Sequence, residues 1–269
     1  MKTTTQVALV LLIGAMQACY GALPELEVTE ATTAEASVTD WSDEEDLGFL
    51  DEGRTVDQTT HVNAVRQFFL LADEDGVAPG FNLDGIISPE GDAASCGHGD
   101  FTEPNGEGGV DNQFAAVWSA AEPLIGEAVV ALLLDGVNEG RMLVLMELSG
   151  VDSLVNDDDV TLTVLRSQDQ PIVSMAGYLV PDQTFSLDPE FPLYVHEHAT
   201  ITDGRLFAGP FDFAMPIMAF NADFVLPMRN GYVDAIIHED GQMEGIFGGE
   251  LDVEDTIEKF LNTNASQEA

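Results

Sequence analysis

The chain has 269 residues, with 49 Asp and Glu against 8 Lys and Arg and a formal net charge of −41. That balance excludes nucleic-acid binding, which requires clusters of Lys and Arg, and it disfavours anionic membrane surfaces for the same reason. A hydrophobic share of 45% is nevertheless enough for one substantial core in a chain of this length.

In chain order, Lys2, the apolar run from Val7 to Met16 and the stretch Met16-Gln17-Ala18-Cys19 read as an export signal over residues 1–19. The run is too short to span a bilayer as a helix. It ends at a lipobox, with Cys19 as the lipid-attachment residue; ordinary signal-peptidase cleavage nearby is the alternative. Either way the expected location is outside the cytoplasm: an outer-membrane or cell-surface lipoprotein, otherwise a periplasmic or secreted protein. Membrane contact is expected through the N-terminal lipid only. The two cysteines are Cys19 and Cys96, so lipidation of the first leaves Cys96 as a lone thiol, and without it a long-range bridge between them is open.

Residues 20–60, with Asp43-Glu44-Glu45-Asp46 and few large apolar side chains, cannot bury enough surface to offset their ordering entropy. They are expected to form a disordered acidic tether, from which Trp41 and Phe49-Leu50 could dock as a short strand. A single domain is expected over 61–264, followed by a short tail, 265–269.

The segment from Leu71 to Phe114 is dense in glycine and short oxygen side chains. Calcium takes six to eight oxygens on a flexible path, and Asp/Asn-rich, Gly-sharpened turns supply them. The EF-hand spacing fails, because counting from Asp73 or Asn82 puts no acid at position twelve. The expectation is an irregular calcium loop drawing on Asp73, Asp75, Asn82, Asp84, Asp100 and Asp111, set against ordinary Asx turns in which the same side chains bond to nearby backbone amides. Asn156 to Asp159 is a second, weaker candidate. Acidity as adaptation to a saline habitat is the competing account of the net charge, and the near absence of lysine favours it as background.

The phrases Gly80-Phe81-Asn82-Leu83-Asp84-Gly85, Cys96-Gly97-His98-Gly99-Asp100 and Gly109-Val110-Asp111-Asn112-Gln113, with Asn156 to Val160 and Gly245 to Gly249, resemble a group of uncharacterised exported bacterial proteins and lipoproteins over about residues 65–262. The resemblance implies localisation and domain boundaries; it supplies no activity and no catalytic residues.

Beyond Asp111, read as a helix N-cap, the spacing of Phe114, Ala115, Trp118 and Ala121 predicts a short helix before Pro123, and Glu127 to Val137 a second. Arg141 to Leu148 is a continuous apolar run expected as a buried strand, and Val160 to Leu165 alternates as a half-buried one. Further strands are predicted at Ile172–Val180, Thr184–Leu187, Leu193–His198, Thr200–Phe207, Ile217–Leu226, Tyr232–His238 and Met243–Phe247. Asp203-Gly204 and Glu239-Asp240-Gly241 serve as turns. A last helix is expected from Asp252 to Leu261. The fold class is mainly β, a β-sandwich of jelly-roll type with two or three short helices.

No nucleophile elbow, metalloprotease helix or phosphate-cradling loop is present, and no catalytic residue is assigned. His196 and His198 fall two apart on a strand, where with His238 they could share a metal ion, although exposed edge-strand residues meet the same pattern. His98 beside Cys96 lacks a third group to orient it. The phenylalanines of Leu206 to Phe224 fit burial in the core. The sequence thus describes a calcium-stabilised exported module in a surface binding or structural role, with a glycan or protein partner, more readily than an enzyme. The rival is an extracellular polysaccharide hydrolase using paired carboxylates.

Overall fold

The computed structural model describes residues 4–11, 59–91, 98–219, 222–256 and 258. Cys19, Cys96, residues 20–58 of the expected tether and the expected tail lie outside the described residues, while Thr59 and Thr60, assigned to that tether by sequence, begin a strand. In chain order the elements are β1 (Thr4–Leu11), β2 (Thr59–Leu70), β3 (Phe101–Thr102), β4 (Gly108–Val110), α1 (Gln113–Asn138), β5 (Leu143–Val151), β6 (Asp157–Ser167), β7 (Tyr194–Thr202), β8 (Arg205–Ala219), β9 (Ala222–Ile237) and β10 (Met243–Glu250).

The domain is mainly β, as its composition and turn spacing predict. Two packed sheets are not what forms. The large strands make one sheet in the order β1-β10-β9-β8-β7-β6-β5-β2, closed into a barrel, and β3 and β4 form a small separate pair. From β5 to β10 each strand pairs antiparallel with the next, and β2 pairs antiparallel with β5. A meander of this kind lacks the long crossing connection of a jelly roll. The bend that closes it is local: β8 and β9 change register between Ala208 and Phe213, and such bulges increase strand twist and curl a sheet. Thr4–Leu11, part of the segment read as an export signal, lies between β2 and β10 and is parallel to both.

Helix α1 is a single element where two short ones are predicted. Its N-cap is Asn112, whose side chain accepts from the Ala115 N–H at 3.1 Å, one residue later than the expected Asp111. Pro123 sits inside it on an exposed turn, where the carbonyl it deprives of a partner can turn to water. The helix ends at Gly140, which has φ +78°; a Cβ there would meet the Asp169 carbonyl at 2.3 Å. Along α1 the buried residues include Ala115, Trp118, Leu133, Gly136 and Val137. The helix touches β2, β5 and β8. Because β2 and β8 are four places apart in either direction around the barrel, α1 must cross one mouth. Gly136 there lies against Met142 and Met218.

The core is one cluster that includes Phe68, Phe213, Phe247, Leu148, Leu162, Leu206 and six buried methionines, Met142, Met146, Met215, Met218, Met228 and Met243. β5 and β6 are buried on both faces. Leu143 to Met146 and Val160, Leu162, Val164 and Leu165 are nearly inaccessible, so the strand expected to be half-exposed is covered on both faces except at the half-buried Thr161. Residues following β6 pack near it, through an isolated bridge from Ser167 to Leu187 and an ion pair from Arg166 to Asp188 at 3.5 Å.

That segment contains the predicted strands Ile172–Val180 and Thr184–Leu187, which do not form; only isolated bridges such as Val173 to Leu179 do. Pro171, Pro181 and Pro189 remove ladder donors, and Gly177 and Asp182 have positive φ. The predicted strand Ile217–Leu226 is divided between β8 and β9, paired Ala219 to Ala222. Asp203 and Gly204, both at positive φ, make the hairpin between β7 and β8, as expected. Helical residues 253–256 begin the predicted last helix, whose end lies outside the described residues.

If α1 seals the barrel mouth, Leu133→Ala, at a position 5% exposed, should cost about 2–5 kcal/mol in urea unfolding. Leu124→Ala, at 84% exposure, should change stability by less than about 0.5 kcal/mol. Equal effects would contradict this packing.

Candidate acidic site beside the barrel

The loop before β3 and the connection from β4 to α1 fold against each other. The Asp111 N–H donates to the Phe81 carbonyl at 3.0 Å, and Asn112 Nδ2 donates to the Pro79 carbonyl at 3.0 Å. The shift of the N-cap to Asn112 leaves the Asp111 carboxylate free to face this loop. Its Oδ2 accepts from the Leu83 N–H at 2.6 Å and the Asp84 N–H at 3.2 Å. The loop is fixed to the barrel by stacking of Phe81 on Tyr232, with centroids 5.4 Å apart, and by Asn230 Nδ2 donating to the Leu83 carbonyl at 3.2 Å.

Asp111 is 1% exposed, and its other oxygen, Oδ1, is buried with no hydrogen-bond partner. Burial pushes its carboxyl up to about 6, and the charges of Asp84 and Asp100 push the same way against the two backbone N–H bonds. Asp100 is also raised, by burial first and then by Asp84, although its hydrogen bond from the Ser88 N–H opposes this. The Ser88 N–H donates to Asp100 Oδ2 at 2.5 Å, and the Asp100 N–H to the Ser88 carbonyl at 3.0 Å. Ser88 Oγ is a second buried oxygen without a partner.

Three of the six predicted calcium ligands, Asp84, Asp100 and Asp111, are therefore electrostatically coupled. Asn82 lies against Gly109, where its Nδ2 would meet a Cβ at 2.6 Å. Asp73 is engaged elsewhere: it accepts from Ser119 Oγ on α1 at 2.6 Å. Asp75 is an exposed turn residue with φ 51°. Asp84 also makes an Asx turn, accepting from the Ile86 N–H at 2.7 Å, so both sequence readings of this loop are present at once. Among the described residues, no three His, Cys, Asp or Glu side chains form a group that could hold a metal ion as they stand. An ion at Asp111 would need Ser88 or backbone oxygens as well. Ser88 was not legible as a candidate, because one serine in a loop carries no spacing signal.

The other candidates come apart. Asn156 to Asp159 satisfies itself: Asp157 accepts from the backbone N–H groups of Asp152, Ser153 and Asp159. These bonds hold its carboxyl below the ordinary range although desolvation acts the other way. His196 Nε2 accepts from the Gly209 N–H at 3.1 Å, while His198, at φ 64°, turns to Asp159 at 2.7 Å. His238 closes the turn between β9 and β10. The His196 and His198 imidazoles are thus held by separate partners, and His238 lies in a different turn. Of the phenylalanines, Phe213 is in the core and Phe207 is 43% exposed; Phe220 lies outside the described residues.

A groove of about 370 Å³ lies beside the acidic loop, lined by Pro79, Glu103, Arg205, Asp234, Ile236 and Glu244 among others. Arg205 Nε donates to Asp234 at 2.6 Å, and its Nη2 bonds the second oxygen of the same carboxylate.

No protein-family model matches the chain, and neither a curated protein nor a solved structure matches it.

Asp111 titrates near 6 in the folded state against 3.8 ordinarily, so between those values the native state holds the extra proton. Stability falls as pH rises through that window, and the full cost, on the order of 3 kcal/mol, is present above it. Asp111→Asn should therefore raise metal-free stability at pH 7 and leave it nearly unchanged at pH 4. Urea melts of both proteins in chelator across that range measure the difference, and parallel profiles would show that Asp111 carries no such cost.

Proposed function

We propose that the protein is exported, held at a membrane through a lipid on Cys19, and carries an acidic β domain stabilised by calcium in a surface binding or structural role. The observation that supports the calcium part is the buried Asp111 carboxylate, with one oxygen unpartnered and two further carboxylates, Asp84 and Asp100, acting on it. Every group in this cluster is an oxygen donor, the preference of calcium rather than of zinc or copper. A divalent cation would offset both the desolvation and the mutual repulsion that raise Asp111. Asp73 and Asp75 drop out of the ligand set.

The export reading rests on Lys2, the apolar run Val7–Met16 and the stretch ending at Cys19. Removal of residues 1–19 would take β1 with it and leave β2 and β10 as facing edges of an otherwise antiparallel sheet. For the polysaccharide-hydrolase alternative, one of the three carboxylates lining the groove, Asp234, is committed to Arg205, and no observation assigns an acid and base pair to the other two.

Thermal melts at fixed ionic strength in chelator, calcium and an equal concentration of magnesium test the metal. A calcium-specific rise in Tm is expected, about 2.7 kcal/mol of stabilisation at a hundredfold excess over Kd. It should vanish in Asp84→Ala and in Asp111→Asn. A rise with bulk salt alone would instead assign the acidity to a saline habitat.

The form spanning 20–269 tests export. It should melt cooperatively and bind calcium as the full chain does. Loss of its cooperative transition would make Thr4–Leu11 an integral strand and remove the signal reading.

A further inference from the structure

We propose that the groove beside β8, β9 and β10 binds a basic side chain, Lys or Arg, presented by an extended, partly apolar segment of a partner protein. This inference does not rest on the calcium reading.

The groove is of the size that ordinary ligand sites have. Its walls are of two kinds. Pro79, Pro104, Ile236 and Ile246 give it apolar sides suited to a methylene stem, while Glu103, Asp234 and Glu244 carry acid. The cross-strand register places these on one outward face: Arg205 is opposite Ile236, which is opposite Glu244, and Phe207 is opposite Asp234, which is opposite Ile246.

Charge in the groove is unbalanced. Arg205 is the one cation among its lining residues; Asp234 holds it by both oxygens, and Glu103 and Glu107 also favour its charge. Those two glutamates have only a neutral donor between them, since Asn105 Nδ2 lies 2.7 Å from Glu103 and 3.3 Å from Glu107. Burial, then the neighbouring Glu107, pushes the Glu103 carboxyl up despite Arg205. The lining carboxylates Glu103, Asp234 and Glu244 against Arg205 leave a net charge of about −2 at neutral pH, and Glu107 adds to it from beside the groove. A second cation is what this surface lacks. Arg205 itself shows that a guanidinium can be held there.

The choice of a peptide over a free polyamine comes from the rim. Ile236 is 55% exposed and Phe207 is 43% exposed, on the same outward face of the sheet. A bare polyamine would leave that apolar shelf in water; a segment in which Lys or Arg alternates with an aliphatic residue would cover it.

Fluorescence anisotropy of labelled acetyl-Lys-Leu-Lys-Leu-amide with the full chain at physiological salt tests the proposal. Saturable binding is expected, weakened about five-fold or more by Glu103→Gln with Glu244→Gln. The control pair Glu127→Gln with Asp158→Asn, on α1 and β6, removes the same charge elsewhere and should leave affinity unchanged. Ile236→Ser, at an exposed position, should weaken the peptide without affecting spermidine. Thermal melts confirm that each variant is folded.

Absence of binding overturns the proposal. So does equal weakening by the control pair, which would mean diffuse attraction to a −41 surface. Spermidine binding as tightly as the peptide, with no effect of Ile236→Ser, would replace the partner protein by a free polyamine. Calcium binding that persists while the peptide fails to bind would separate the failure of this inference from that of the metal site.

Discussion

Contact of one helix with strands on opposite sides of the barrel is the constraint on which the rest of the domain depends. A closed sheet of eight strands has an interior that side chains can fill, but its ends must be covered. α1 covers one by reaching from β2 to β8, with Leu133 and Val137 in the core and Gly136 letting Met142 and Met218 approach. The start of the helix is thereby fixed too. With Asn112 capping it, Asp111 is held between the helix and the loop that runs past Phe81, and the acidic cluster is a by-product of where the helix has to begin. The loop then lies over β9, where Phe81 meets Tyr232, and forms one wall of the groove.

Much of this was legible where periodicity and turn chemistry agree. The apolar run from Arg141 to Leu148 gave a buried strand, and Asp203-Gly204 and Glu239-Asp240-Gly241 gave turns between paired strands, because positive-φ positions and hydrophobic periods are properties of a few consecutive residues. What escaped depends on distant partners. Val160 to Leu165 alternates as if half-exposed, yet it is covered from both sides. The stretch Ile172–Val180 has strand-like residues between prolines but finds no neighbour to pair with beyond isolated bridges. Two sheets and one curled sheet are built from the same short strands; the bulges between Ala208 and Phe213 that distinguish them leave only Gly209 and Pro210 as a trace in the sequence.

The acidic loop shows the same division at smaller scale. Spacing singled out Asp84, Asp100 and Asp111 but could not separate them from Asp73, whose side chain is claimed by Ser119 forty-six residues away. The decisive distinction is the burial of Asp111, which follows from a cap displaced by one residue. Both Asp111 and Asn112 are good capping residues, and local sequence does not choose between them. Nor does it reveal that Glu103, Asp234 and Glu244 line one groove.

The methionine-rich interior has a chemical consequence of its own. Six of the seven methionines among the described residues are buried, and Asn63 Nδ2 lies 3.4 Å from the Met243 sulfur. Unbranched thioethers fill an irregular barrel well, but oxidation turns each into a polar sulfoxide that the same space cannot accept. While α1 stays across the mouth, the sulfurs of Met142 and Met218 are shielded from peroxide. Displacement of the helix would expose them, and a sulfoxide formed there would hinder its return. Closure by α1 thus shields these two sulfurs, and their oxidation would report its displacement.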